Sequence, residues 1–137
     1  EQYGVRTARF RRLHFDDDMY AIAAELQLPL MFKAVDSSGS RGIIRVDSTE
    51  DFEEARRIVR ATSRTDEYII EEFVEGEEFG AQAFVLNGEV KFILPHGDYV
   101  FHGDTGVPVG HFAPYLLSDE IIADAREQLA LAVKAMG

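Results

Sequence analysis

Residues 28–42, LPLMFKAVDSSGSRG, constrain this chain more than any other stretch. An apolar run of Leu30, Met31 and Phe32 carries Lys33, then breaks into Ser37, Ser38, Gly39 and Ser40, closed by Arg41 and Gly42. Small hydroxyl residues and glycines let backbone N–H groups approach an anion, and a lysine delivered by the same strand adds a point charge. Such a construction suits a polyphosphate. The order is not that of a Walker P-loop, because the lysine precedes the glycines. Taken alone, the residues also allow a solvated strand lysine beside an ordinary hairpin loop.

The surrounding pattern alternates helical and strand periods. Residues 5–10, with alternating β-branched and aromatic positions, predict a short strand or extended linker. Asp16, Asp17 and Asp18 precede Met19, Ile22, Ala23 and Leu26 at helical spacing, which predicts a helix start rather than a metal site. Pro29 ends that helix. The lysine strand follows, then a return strand at 42–46 and a helix from Phe52 with Ala55, Ile58, Val59 and Ala61 on one face, capped by Ser48 with Asp51. Residues 67–74, EYIIEEFV, predict a strand. Residues 79–86 and 89–94 predict a hairpin about Asn87-Gly88. From Pro95 to Pro114 glycine and proline recur, predicting a long functional loop without secondary structure. Ser118 caps a last helix that Gly137 stops. The order β-α-β-β-α-β is the split β-α-β pattern of an α+β fold, an antiparallel sheet with helices on one face.

A net charge of −11 argues against nucleic acid and anionic membrane as partners, while leaving room for a nucleotide in a local positive pocket. There is no cysteine, hence no disulfide, thiolate metal site or cysteine nucleophile, which fits a cytoplasmic setting. No apolar run reaches membrane-spanning length. Because the chain opens at Glu1 without methionine and ends directly after a periodic helix, it is expected to be a piece of a longer protein.

EEFVEGEE, residues 71–78, is the second informative stretch. A strand running into a turn exposes backbone groups that can read an adenine edge, and a carboxylate nearby can accept from ribose hydroxyls. Equally, such a strand end can serve only to reject edge-to-edge pairing. Together with the lysine strand, the order and separation resemble the ATP-grasp superfamily, most nearly its carbamoyl-phosphate synthetase and biotin carboxylase branch with their amino-acid ligase relatives.

The resemblance implies an ATP-grasp small lobe followed by the beginning of the large lobe: residues 1–12 as a linker strand from a preceding domain, 13–73 as the small lobe, 74–137 as part of the large one. It implies that Lys33 contacts the α- and β-phosphates and that residues 36–42, with Ser37, Ser38, Gly39 and Ser40, close over the triphosphate. Glu71 would meet the adenine amino group, and Glu72 and Val74 would offer backbone groups to the adenine edge. Phe73 would lie in a hinge, and Glu78, or its neighbour Glu77, would bind the ribose. The implied ligands are ATP with Mg²⁺ and a small carboxylate or bicarbonate. The metal ligands are expected beyond Gly137, so the chain by itself is expected to be inactive. The implied parent is an ATP-dependent carboxylate–amine ligase or carbamoyl-phosphate-synthetase-like enzyme working through an acyl phosphate. The alternative is a non-catalytic nucleotide- or protein-binding module of the same fold. His96, Asp98, His102, Asp104 and His111 match no metal-ligand spacing, so no metal site is expected within this chain. His111 and Tyr115 are expected instead to face the acceptor substrate together.

Overall fold

Alternation of buried and exposed side chains along two neighbouring strands organises the first half of the molecule. The computed structural model describes residues 3–100 and 108–137. In β2 (Leu30–Ala34) and β4 (Glu67–Glu72), Leu30, Phe32, Tyr68 and Ile70 are buried, and the residues between them turn to the other face. Four strands pair antiparallel in the order β1-β4-β2-β3, with β1 at Phe10–His14 and β3 at Ile43–Val46. Helices α1 (Met19–Ala23) and α2 (Phe52–Thr62) pack on the buried face through Met19, Ala23, Phe52, Ala55 and Val59. The predicted β-α-β-β-α-β sheet with helices on one face is therefore the structure of this part.

The first strand lies further along than residues 5–10. Leu13 is its one buried residue, and in β1 Arg11 pairs with Ile70 and Leu13 with Tyr68. Its basic cluster is consumed by ion pairs, Arg9 with Glu72, Arg11 with Glu25 and Arg12 with Glu67. Asp18 caps α1, accepting from the Tyr20 and Ala21 backbone N–H groups at 3.1 and 3.2 Å. Ser48 accepts from Glu50 N–H and starts a single 3₁₀ turn, Thr49–Asp51, before α2, in place of the expected capping box.

The described residues form two compact units, Ala8–Glu75 and a second made of residues 3–7, 76–100 and 108–137. In the second unit β5 (Gly80–Leu86), β6 (Glu89–Val100) and β7 (Pro108–Phe112) form an antiparallel sheet. Asn87 (φ 53°) and Gly88 (φ 75°) make the predicted hairpin turn, both in the left-handed region a type I′ turn requires. Helix α3 (Asp119–Met136) is capped by Ser118, accepting from Ile121 N–H, with Gly137 at its C-cap. The N-terminal segment joins this unit, since Arg6 pairs with Asp124 and its N–H donates to Gln128.

The expected structureless stretch at 95–114 is wrong. β6 runs through Pro95 and Gly97 to Val100, and β7 returns beside it. Gly97 on β6, like Gly80 on β5, is a seat for a ring rather than loop punctuation. A Cβ at Gly97 would lie 2.2 Å from Phe112 Cζ, and one at Gly80 would lie 2.3 Å from His96 Cε1. In-strand glycine of this kind marks close packing. Residues His102 and Asp104 lie outside the described residues.

The Tyr68 ring is buried between Phe15 and Phe32, with centroids 4.8 and 6.1 Å away, and its hydroxyl has no hydrogen-bond partner among the described residues. Burial pushes the phenol up to about 12. The folded state thus disfavours the ionised form, so this group's effect on stability is constant below pH 10 and turns destabilising as pH rises from about 10 to 12. The loss over that window reaches about 2–3 kcal/mol. Tyr68→Phe removes both the alkaline slope and an unsatisfied hydroxyl, and is expected to raise stability at pH 7 by about 1 kcal/mol. Urea unfolding at pH 7 and pH 11 measures both effects.

Candidate functional site: a lysine–glutamate pair on the open face of the sheet

Because Phe32 and Ile70 face the helices, their neighbours Lys33 and Glu71 face away from them. Antiparallel pairing sets Lys33 opposite Ile69 and Met31 opposite Glu71, so the two charged groups are diagonal neighbours on adjacent strands. Lys33 Nζ donates to Glu71 Oε1, with both side chains partly buried, 32% and 22% exposed. An ion pair at that exposure is worth about 1 kcal/mol or less. Its larger effect is to hold a long lysine chain in one place, with two of three ammonium donors not used on Glu71.

The same face carries groups that the sequence reading did not single out. Register puts Met31, Ile69, Ile43 and Phe10 around the pair, and Arg45 opposite Met31. The Arg45 guanidinium lies 4.4 Å from the Phe73 ring centroid and bonds to Asp47, and that bond first of all raises its already high pKa. The signal for these neighbours is the two-residue period about Lys33 combined with cross-strand register, which only the pairing reveals.

The loop after β2 has a fixed root. Ala34 N–H donates to the Gly42 carbonyl at 2.9 Å, Asp36 Oδ2 accepts from the backbone N–H groups of Arg64 and Thr65 at 2.6 and 2.9 Å, and Ser37 Oγ donates to the Thr62 carbonyl. Ser38 and Gly39 are exposed, and Arg41 Nε donates to the Ser38 carbonyl. Gly39 (φ 66°) and Ser40 (φ 56°) turn through the left-handed region. A polar cavity of about 380 Å³ beside the root is lined by Asp36, Ser37, Ser38, Arg41, Thr62 and Arg64. Lys33 does not line it. The larger cavity, about 640 Å³, lies over α2 among Phe15, Glu53, Arg56 and Arg60, away from every predicted site residue.

At the end of β4, Glu72 N–H donates to the Arg9 carbonyl and Phe73 N–H to the Pro29 carbonyl, both at 2.9 Å. The Glu72 carboxylate accepts from Gln27 N–H and from Arg9. Its side chain and N–H are therefore spent on the fold. Val74, just beyond these bonds, is 70% exposed. In the second unit Glu77 accepts from the Tyr115 hydroxyl, whereas the exposed Glu78 carboxylate has no partner among the described residues.

His111 and Tyr115 do not face one pocket. His111 is paired with Asp98, while the Tyr115 ring lies over Gly97, whose side-chain direction is opposite to that of Asp98. Tyr115 instead stacks on Phe79 and meets Phe112 at a tilt. His96, Asp98 and His111, which no linear spacing linked, come together on the other face.

The ATP-grasp domain family matches residues 26–137, and the chain belongs to that family. It is similar to D-alanine--D-alanine ligase of Cupriavidus necator, 36% identical over 97% of this chain and 41% of the relative. It is also similar to phosphoribosylamine--glycine ligase of Streptococcus suis, 30% identical over 84% of this chain and 29% of the relative. Among solved structures, phosphoribosylglycinamide synthetase from Anaerococcus prevotii superposes with a TM-score of 0.69 at 35% identity, covering 99% of this chain and 33% of that one. The chain thus spans well under half the length of these relatives.

The two loop glycines differ in what they tolerate. At Gly42 (φ 69°) a Cβ would lie 2.1 Å from Thr62 Oγ1, whereas Gly39 has open space. Gly42→Ala is expected to cost about 2–4 kcal/mol, strain plus overpacking, and Gly39→Ala about 1 kcal/mol. Chemical denaturation of the two variants measures the difference.

Proposed function

We propose that this chain is the nucleotide-binding part of an ATP-dependent carboxylate–amine ligase, with residues 13–73 as the small lobe and 74–137 as the start of the large one. The observation that carries the reading is the Lys33–Glu71 pair, held together on the helix-free face of the sheet beside a loop with an anchored root. The donor set fits a nucleotide: an ammonium with spare donors, a small-residue loop tip with Arg41, and apolar Met31 and Ile69 as a surface for a base.

In this reading Lys33 holds the α- and β-phosphates, with the loop Ser37, Ser38, Gly39 and Ser40 closing over the triphosphate. Since Ser37 is bonded to the Thr62 carbonyl, Ser38 and Gly39 at the exposed tip are the ones that reach phosphate. Glu71 accepts from the adenine amino group, while the Glu72 carbonyl and Val74 N–H meet the adenine edge. Glu72 N–H and Phe73 N–H are already engaged, which supports that division. Glu78 takes the ribose hydroxyls, because Glu77 is tied to Tyr115. ATP supplies the γ-phosphoryl group. A substrate carboxylate oxygen attacks it with release of ADP, and an amine then attacks the acyl carbon and expels phosphate. Both named relatives are amino-acid ligases, which supports an amino-acid carboxylate over bicarbonate and so a ligase over a carbamoyl-phosphate-synthetase-like enzyme. Magnesium is assigned to carboxylates outside this chain, and no step here runs through it. A cytoplasmic setting follows from the demand for ATP.

The full-length protein with MgATP, an amino acid and hydroxylamine is expected to form a hydroxamate and ADP, the signature of an acyl phosphate. Lys33→Ala is expected to lower kcat/KM by about a hundredfold or more, as loss of a charge-stabilising donor does. Hydroxamate formation unchanged by the substitution removes Lys33 from the site. MgATP binding without ADP formation for any amino acid leaves a nucleotide-binding module in place of the ligase.

A further inference from the structure

We infer that His96, Asp98 and His111 form a binding site for a divalent transition-metal ion of the zinc class. The backbone itself assembles the three ligands. His96 and Asp98 are two residues apart on β6 and share a face, and His111 of β7 is the direct cross-strand partner of Asp98. Asp98 Oδ1 lies 3.2 Å from His96 Nδ1 and 2.6 Å from His111 Nδ1, and the two imidazoles meet edge to face with centroids 5.2 Å apart. One ligand atom from each residue lies within 4.8 Å of the others.

Those separations bracket what a zinc ion needs. Bonds of about 2.0–2.1 Å in tetrahedral geometry put ligand atoms about 3.3 Å apart, so the widest pair closes by about 1.5 Å through side-chain rotation. The His96 ring is already seated, only 15% exposed, across from Gly80. Any side chain at position 80 would occupy the place of that ring, with a Cβ 2.3 Å from Cε1.

The chemistry of the set selects the ion. Two imidazole nitrogens and one carboxylate suit zinc and its neighbours, whereas magnesium and calcium take oxygen ligands. Three protein ligands leave a fourth position open to water or a substrate group, as in sites that do chemistry rather than closed structural ones. The sequence conceals the site because its ligands are a His-x-Asp pair on one strand and a single histidine on the next.

The test is calorimetric titration of ZnCl₂, and separately MgCl₂, into the chelator-stripped full-length protein without nucleotide, so that its outcome is independent of the ATP reading. The expected result is one equivalent of Zn²⁺ bound at micromolar or lower Kd, no displacement by millimolar Mg²⁺, and at least about tenfold weaker binding in each of His96→Ala, Asp98→Asn and His111→Ala. His14→Ala, in the other unit, is the control and is expected to bind as wild type does. Asp98→Asn keeps side-chain shape, and the visible absorption of the Co²⁺-loaded wild type reports nitrogen ligation without any variant. Absence of stoichiometric Zn²⁺ binding, binding untouched by His96→Ala and His111→Ala, or a Co²⁺ spectrum like that of the aqueous ion overturns the proposal.

Discussion

The antiparallel pairing of β2 with β4 is the constraint on which the candidate site depends. One register sets Phe32 against Ile70 and Met31 against Glu71. Hydrophobic burial of Phe32, Tyr68 and Ile70 against Phe52 and Val59 decides which face meets the helices, and thereby forces Lys33 and Glu71 onto the other. A slip of one residue would bury the lysine and expose the core. Fold and site chemistry are thus two sides of one ladder, and a buried phenylalanine positions a cation it does not touch.

The second unit works by a different rule. Among its described residues only Ile93, Pro95 and Gly97, all on β6, are buried. Close ring-on-glycine packing holds it together: His96 over Gly80, and Phe112 with Tyr115 over Gly97. Alternate faces of the β6–β7 ribbon carry different chemistry, aromatic on the Gly97 side and metal-ligating on the Asp98 side.

Much of this was legible in the residues. The lysine strand, the Asn87-Gly88 turn and the Ser118 cap each follow from local rules, and the structure has them; of the expected α2 stripe Phe52, Ala55 and Val59 are buried, Ile58 is half-buried and Ala61 is exposed. EEFVEGEE together with the lysine strand pointed to the family that residues 26–137 match. Long-range pairing was not legible. Gly97 read as loop because local propensity cannot know that the Phe112 ring of β7 covers it, and Pro95 because its pairing with Ala81 of β5 is not a local signal. His111 read as a partner of Tyr115 because nearness in sequence says nothing of the pleat that turns them apart. The neighbours of Lys33 on other strands, Ile69 and Ile43, stayed hidden for the same reason, and so did the use of Ser37 at the loop root.

The central claim is that Lys33 reads phosphate on a face where other residues read the base. Dissociation constants of adenosine, ADP and MgATP for the full-length protein and its Lys33→Ala variant test it most directly. The account predicts that the substitution leaves adenosine binding unchanged and weakens ADP and MgATP by tenfold or more, about 1.4 kcal/mol or above. An equal loss for all three ligands, or none for MgATP, would contradict it.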